Sequence, residues 1–170
     1  MAKMDHIVEQ VLAKIRQREH QSYEVDYSSE GSVPDKGVYT DYANVTIDNV
    51  TIPLMANIYR LNLDDPWTKW ILQGISFQVN FTFQISSSMV NFIPKKMLLD
   101  WPVSFVVDQK RAVTSFYQKA ISRSDLATLP DKSIVVVTPN QKLTGEAEQI
   151  SQLKQMIIQM RTDENCIWHE

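Results

Sequence analysis

Strict alternation between residues 75 and 85 constrains the fold more than any other feature of the chain. Polar residues separate the apolar ones without exception, and the apolar set is Ile75, Phe77, Val79, Phe81, Phe83 and Ile85. Successive side chains of a β-strand point to opposite faces, so this pattern predicts a strand with one buried and one wet face. The chain must therefore build a sheet with a core on one side.

The remaining patterns predict further strands and two helices around this strand. Residues 38–63 are rich in Val, Ile, Thr and Tyr and favour two or three strands, with a turn at Asp48-Asn49. A hairpin is expected between 103–107 and 112–117, and a short buried strand at 134–137. Asp65 and Pro66 predict the start of a helix over 66–73 that Gly74 ends, and Thr144 is expected to cap a helix at about 145–161.

These elements predict an α+β domain over residues 37–162, with a mainly antiparallel sheet between 38 and 138 and two packed helices. The composition, 44% hydrophobic over 170 residues, is sufficient for one core of ordinary size. Residues 163–170 are expected to form a C-terminal tail.

Residues 1–20 predict a separate amphipathic helix. Its apolar residues fill an arc of about 140° on a helical wheel, and they are Ile7, Val8, Val11, Leu12 and Ile15. The polar stretch 21–36 is typical of a flexible linker, so the helix is expected to be detachable from the domain. The five apolar residues are the candidate partner-binding site. Packing against the chain's own domain and pairing with another copy are the alternatives.

Charge and motif content argue against several functional classes. Seventeen basic and twenty acidic residues leave a net charge of −3, so no nucleic-acid partner is expected. No signal-like or membrane-spanning apolar run is present, and Cys166 is the only cysteine; both indicate a soluble cytoplasmic protein without a membrane partner. The three histidines (His6, His20 and His169) and Cys166 do not supply a metal-ligand set. Phosphate-binding glycine motifs are absent, so we expect no metal, no cofactor and no catalytic residues.

Three tryptophans provide the alternative to a purely structural protein. Trp67, Trp70 and Trp101 could line a small-ligand pocket, although aromatic residues on the inner face of a short helix usually belong to the core. A bound cofactor, or polar groups converging on these rings, would favour an accessory enzyme or a small-ligand-binding protein.

The order of several segments resembles a known family. These segments are Ile7–Ile15, the alternating strand after Gly74, the run Ile93-Pro94-x-Lys96-x-Leu98-x-x-x-Pro102-x-x-Phe105, Val135–Val137, and Leu143-Thr144-x-x-Ala147. Together they resemble the PduM family of propanediol-utilization microcompartment proteins. The resemblance implies a non-enzymatic component that is needed for assembly of a bacterial microcompartment in the cytoplasm. Microcompartment shell or lumen proteins are then the expected partners of the N-terminal helix.

Overall fold

The computed structural model describes residues 2–161, with side chains described from Met4 onward. The tail predicted at 163–170 lies outside these residues. The helices are α1 (Ala2–Glu19), α2 (Val38–Asp41), α3 (Ile52–Tyr59), α4 (Pro66–Ser76), α5 (Lys95–Asp100), α6 (Arg123–Ala127) and α7 (Gly145–Leu153), with a 3-10 helix at Ser87–Phe92. The strands are β1 (Ser22–Asp26), β2 (Asn44–Asp48), β3 (Asn80–Ile85), β4 (Val103–Val107), β5 (Arg111–Ser115), β6 (Ala120–Ile121), β7 (Ile134–Val137), β8 (Lys142–Leu143) and β9 (Ile157–Met160).

Within residues 2–161 the main sheet has seven strands, in the order β1-β2-β3-β4-β5-β7-β9. Strands β1 to β4 are parallel to one another, and so are β5, β7 and β9; the two groups run in opposite directions because β4 and β5 form an antiparallel hairpin. Asp108 and Gln109 adopt positive φ angles of 52° and 58° at this turn. The prediction of a mainly antiparallel sheet is therefore wrong. The fold is mixed α/β with a mostly parallel sheet, and the predicted hairpin is its one antiparallel pair among the described residues.

The alternating segment forms the strand β3, but only in its second half. Val79, Phe81, Phe83 and Ile85 are buried as predicted, and Thr82 and Gln84 are partly exposed on the other face. Residues 75 and 76 belong instead to α4, which therefore runs past Gly74. Gly74 lies under Phe81, where a Cβ atom would come within 2.6 Å of the phenyl Cζ. The glycine is needed for close packing of helix on sheet rather than for ending the helix.

The main core lies between one face of the sheet and helices α2 to α5. Aromatic rings run through it from Trp67 to Trp70 and Phe81, with centroid distances of 5.9 and 5.6 Å, and on through Phe83 to Phe105. A second, smaller core lies on the opposite face, where α6 and α7 cover β7 through residues such as Leu126 and Ala147. Strand β7 is consequently buried on both faces. The second face of β1 to β4 carries mostly polar side chains that are exposed or partly exposed, such as Glu24, Thr46 and Thr82.

Several local predictions also need correction. The span 38–63 contains only the strand β2, between helices α2 and α3. The helix expected at about 145–161 ends at Leu153 and is followed by β9. The span 21–36, expected to be a linker, contains β1, which pairs with β2 along its whole length. The predicted helix caps are confirmed, since Asp65 accepts from the Thr68 N–H at 2.8 Å and Thr144 from the Ala147 N–H at 3.2 Å.

Candidate functional site

Helix α1 presents an apolar face that no other described part of the chain covers. Each of the five predicted partner-binding residues is at least 47% exposed, and the five are Ile7, Val8, Val11, Leu12 and Ile15. Met4 lies on the same face, one turn before Val8, and is 72% exposed. Contiguous apolar surface of this kind marks interaction sites in soluble proteins. The face is referred to below as the α1 stripe, with Met4 included.

The last turn of α1 is fixed to the rest of the protein. The Arg18 side chain donates from Nε to the Tyr39 carbonyl at 3.0 Å and from Nη2 to the Phe77 carbonyl at 2.7 Å. The Ala43 N–H donates to the Arg18 carbonyl at 3.1 Å, and the Asn44 side-chain amide donates to the Glu19 carbonyl at 3.1 Å. These bonds tie α1 to α2, to the end of α4 and to the start of β2.

The residues to which α1 is attached belong to a packed aromatic cluster. Tyr39 is buried, and its hydroxyl donates to the Trp70 carbonyl at 2.8 Å; burial raises the pKa of this hydroxyl above its usual range. The Phe77 ring stacks on the Tyr39 ring at 5.5 Å and remains half exposed. The last turn of α1 is therefore attached to packed aromatic residues, and Phe77 adds exposed apolar surface beside that turn.

The flanks of the stripe differ in charge. Lys14 lies on one flank, in a cleft of about 270 Å³ where Lys14, Gln17 and Arg18 face Thr40 and Asp41 of α2. Asp5, Leu12 and Glu19 follow one another at seven-residue spacing along the other flank. The stripe is thus an apolar strip between one edge that carries a lysine and one edge that carries two carboxylates.

The three candidate pocket tryptophans lie in packed surroundings. Trp67 and Trp70 are 3% exposed and contact each other edge to face, and the Trp67 indole N–H donates to the Ser28 carbonyl at 3.0 Å. The buried indole N–H of Trp70 has no acceptor within the described residues. Trp101 is partly exposed and packs against Tyr59 at 6.4 Å. The structure therefore brings two of the three rings together, as part of the aromatic core.

A polar cleft of about 660 Å³ lies at the carboxyl ends of β1 to β4. In open α/β sheets this edge is the usual place for a ligand. Asp26, Asp48 and Asp108 line the cleft together with Gln84, and the Asn49 amide donates to the Asp26 carboxylate at 2.8 Å. Across residues 2–161, no three His, Cys, Asp or Glu side chains are grouped closely enough to hold a metal ion. Cys166 and His169 lie outside that range.

A third cleft, of about 710 Å³, lies between the starts of α6 and α7. Ser122 and Asp125 form a capping box there, in which the Ser122 N–H donates to the carboxylate at 2.7 Å. Hydrogen bonds from the Ser122 side chain and backbone hold the pKa of the Asp125 carboxyl below its usual range. This arrangement satisfies the cap of α6 internally, so it accounts for itself without a ligand.

Sequence reasoning missed three residues of the α1 site: Met4, Arg18 and Phe77. On a helical wheel Met4 falls within the apolar arc, and two charged residues, Arg18 and Glu19, fall there as well. A charge that lies where the apolar face meets the protein needs a polar partner, and Arg18 bonds to a pair of carbonyl groups, whereas Glu19 stays exposed. Phe77 carried no such signal, because the alternating pattern assigned it to the buried face of a strand.

Comparisons with known proteins bear on the pathway. Among residues 2–161, no helix combines the length and apolar character needed to cross a membrane. Neither the curated proteins nor the solved structures gave a match. A family model described as "Putative propanediol utilisation" matches residues 6–157, which is most of the chain and includes most of α1 and the sheet strands from β1 to β7. The match supports the pathway implied by the resemblance, at the level of this broader family rather than of PduM. The chain belongs to the PDU-like family of propanediol utilisation.

Proposed function

We propose that this protein is a non-enzymatic adaptor in the assembly of a propanediol-utilization microcompartment, and that within its broader family it is a member of the PduM family. In this proposal α1 docks on a shell or lumen protein, inside the compartment, through the stripe. The observation that carries it is the stripe itself: a complete amphipathic helix with its apolar face open to solvent. Membership in a propanediol-utilisation family supplies the pathway.

Energetics support a docked state for α1. An 18-residue helix without tertiary cover is marginal in water. Burying the half-exposed side chains of the stripe would contribute roughly 1 kcal/mol each. The helix is also already formed and held at its last turn. A partner groove therefore gains apolar burial without first ordering a linker, which is the helix-in-groove mode of recognition.

The experiment is co-purification of the full chain with the proteins of its microcompartment. Val11→Asp combined with Leu12→Asp places two charges in the stripe and should abolish co-purification. The matched control is Gln10→Asp combined with Ala13→Asp, which puts the same two charges on the polar face of α1. The control should co-purify like the unmodified chain. Equal retention by both double variants would overturn the proposal.

A substitution tests docking more cleanly than a deletion does. Removing residues 1–20 also removes Arg18 and its bonds to the Tyr39 and Phe77 carbonyls. Any loss of binding would then be confounded with loosening of the sheet edge at β1. A shorter deletion of residues 2–13 retains the attached turn and serves as the second variant.

The alternative is an accessory enzyme or small-ligand-binding protein of the same pathway. The polar cleft at the ends of β1 to β4 is the feature that favours it, ahead of the three tryptophans. Saturable binding of a small polar metabolite that is lost on Asp48→Asn, with docking intact, would support this alternative.

A further inference from the structure

The positions of the charged residues along α1 indicate which partner would cover the stripe, and they do so better than the apolar residues do. Numbered as a coiled-coil heptad, α1 has Val8 and Ile15 at position a and Met4 and Val11 at position d. The next d position is Arg18, whose side chain bonds to the Tyr39 and Phe77 carbonyls. The seam therefore contains four layers, from Met4 to Ile15, and ends where the helix meets the rest of the protein.

The residues that flank the seam at positions e and g would match those of a second copy of α1. In a parallel pair, each g residue faces the e residue five places later in the other helix. Ile7 at g would then face the partner's Leu12 at e, and Lys14 at g would face the partner's Glu19. The first pair is apolar and the second is oppositely charged. Because the dimer has two-fold symmetry, each pair occurs twice.

An antiparallel pair would be mismatched at the same positions. Such a pair sets e against e and g against g. In the register that matches all four layers, Ile7 would lie beside the partner's Lys14, and Asp5 would lie beside the partner's Leu12. Each flanking pair would then press a charge against an apolar side chain, and Lys14 would not meet Glu19. Desolvation of these charges opposes that arrangement, so the pattern selects parallel pairing.

The exposed surface is sufficient for such a pair. Six side chains of the stripe are each 47–72% exposed. They present on the order of 600 Å² per copy, and two copies together would bury about 1,200 Å², the lower bound for a stable interface. Lys14 and Glu19 are exposed in the single chain and are available for the contact. The cleft that contains Lys14 and Gln17 places α2 beside the seam rather than over it.

We infer that the free protein is a homodimer in which the stripe is closed by the α1 helix of a second copy in parallel orientation. This inference goes beyond docking and does not rest on it, because it concerns the chain before any partner is present. The dimer keeps an otherwise exposed apolar face out of water. A docking partner would compete with the second copy for the same surface.

The test is sedimentation equilibrium of the purified full chain, alone, at micromolar concentrations. The unmodified chain should be dimeric. Lys14→Glu and Glu19→Lys should each raise the dissociation constant about tenfold or more, because two attractive pairs become repulsive. An equimolar mixture of these two variants should dimerise again. In the mixed pair the new carboxylate at position 14 of one chain faces the new amine at position 19 of the other, and the native Lys14 faces the native Glu19.

The control and the possible outcomes separate this inference from the proposed function. Arg16→Glu makes the same charge change on the outer face of α1 and should leave the dimer unchanged. A monomeric unmodified chain, charge variants that dimerise normally, or a mixture that stays monomeric would each overturn parallel pairing. Lys14→Glu leaves the stripe intact, so the same sample reports on docking through co-purification. A monomer that still co-purifies contradicts the dimer only, and a dimer that captures no microcompartment protein contradicts docking only.

Discussion

Helices α1 and α4 carry the same kind of sequence pattern in opposite environments. Both place apolar residues at helical spacing on one face, yet Trp67, Trp70 and Ile71 of α4 are at most 3% exposed, whereas Val11 and Leu12 of α1 are about half exposed. The difference lies beneath the helices: α4 packs on the rings of β3, and α1 extends beyond the sheet. An amphipathic pattern indicates that one face of a helix will be buried, but it does not say whether the chain's own core or another protein buries it.

The largest effect is expected beneath α4. Phe81→Ala removes a buried ring that packs against Trp70 and Phe83, and should lower the free energy of unfolding by about 3–5 kcal/mol. Thr82→Ala, one residue later on the half-open face, should cost less than about 1 kcal/mol. Urea denaturation of both variants measures the difference. Similar denaturation midpoints for the two variants would show that Phe81 and Thr82 are assigned to the wrong faces of β3.

The next effect tests the fit between α4 and the sheet. A Cβ at Gly74 would lie 2.6 and 2.8 Å from two atoms of the Phe81 ring, so Gly74→Ala should destabilise by about 1–3 kcal/mol although alanine favours helices. Gly145→Ala is the matched control, because no atom of the described residues lies within 4 Å of the position that a Cβ would take there. The control should change stability by less than about 1 kcal/mol. If Gly74→Ala melts above the unmodified protein, the contact is looser than described.

A smaller effect is expected where α1 meets the rest of the protein. Arg18→Ala removes both side-chain bonds to the Tyr39 and Phe77 carbonyls and should cost about 1 kcal/mol. Amide hydrogen exchange in α1 should become faster while exchange in β3 stays unchanged. Arg16→Ala, on the exposed side of the same turn, should alter neither. Unchanged exchange in the Arg18 variant would show that the attachment does not depend on its side chain.

The smallest effect belongs to the stripe. At protein concentrations low enough to keep both chains monomeric, Val11→Asp with Leu12→Asp should leave the stability of the sheet within about 1 kcal/mol of the unmodified chain, because both side chains are about half exposed and lie outside the core of residues 4–161. Thermal unfolding of dilute protein, followed by circular dichroism, is the measurement. A loss of several degrees under those conditions would place the stripe against the protein's own core.

Sequence reasoning located β3, the hairpin, β7 and the caps of α4 and α7, because each depends on contacts within a few residues. Strand direction was missed for a physical reason. Buried parallel strands usually read as continuous apolar runs, but β1 to β4 are covered on one face only and so alternate like antiparallel strands. Their crossovers through α2 to α5 are set by tertiary packing. Val38-Tyr39 and Ile52 have strand-like composition and nevertheless lie in helices.

The candidate site was predictable in part. The apolar residues of α1 follow from periodicity alone, whereas Arg18 required knowledge of which carbonyl groups lie opposite. The linker expected at 21–36 was inferred from polar composition, but an edge strand with one solvent-facing side is also polar: Ser22, Glu24 and Asp26 are exposed, while Tyr23 and Val25 pack inward. Short edge strands of this kind resemble linkers in sequence.

The direct passage from α1 into β1 has a geometric consequence. A flexible tether of fifteen residues would let the domain wander about 20 Å from its attachment point and face any direction. Here only His20 and Gln21 separate the helix from the strand, and both donate backbone hydrogen bonds to the last turn of α1. A partner surface that binds α1 therefore also fixes the orientation of the sheet. Copies held on an ordered array would all point their polar cleft the same way.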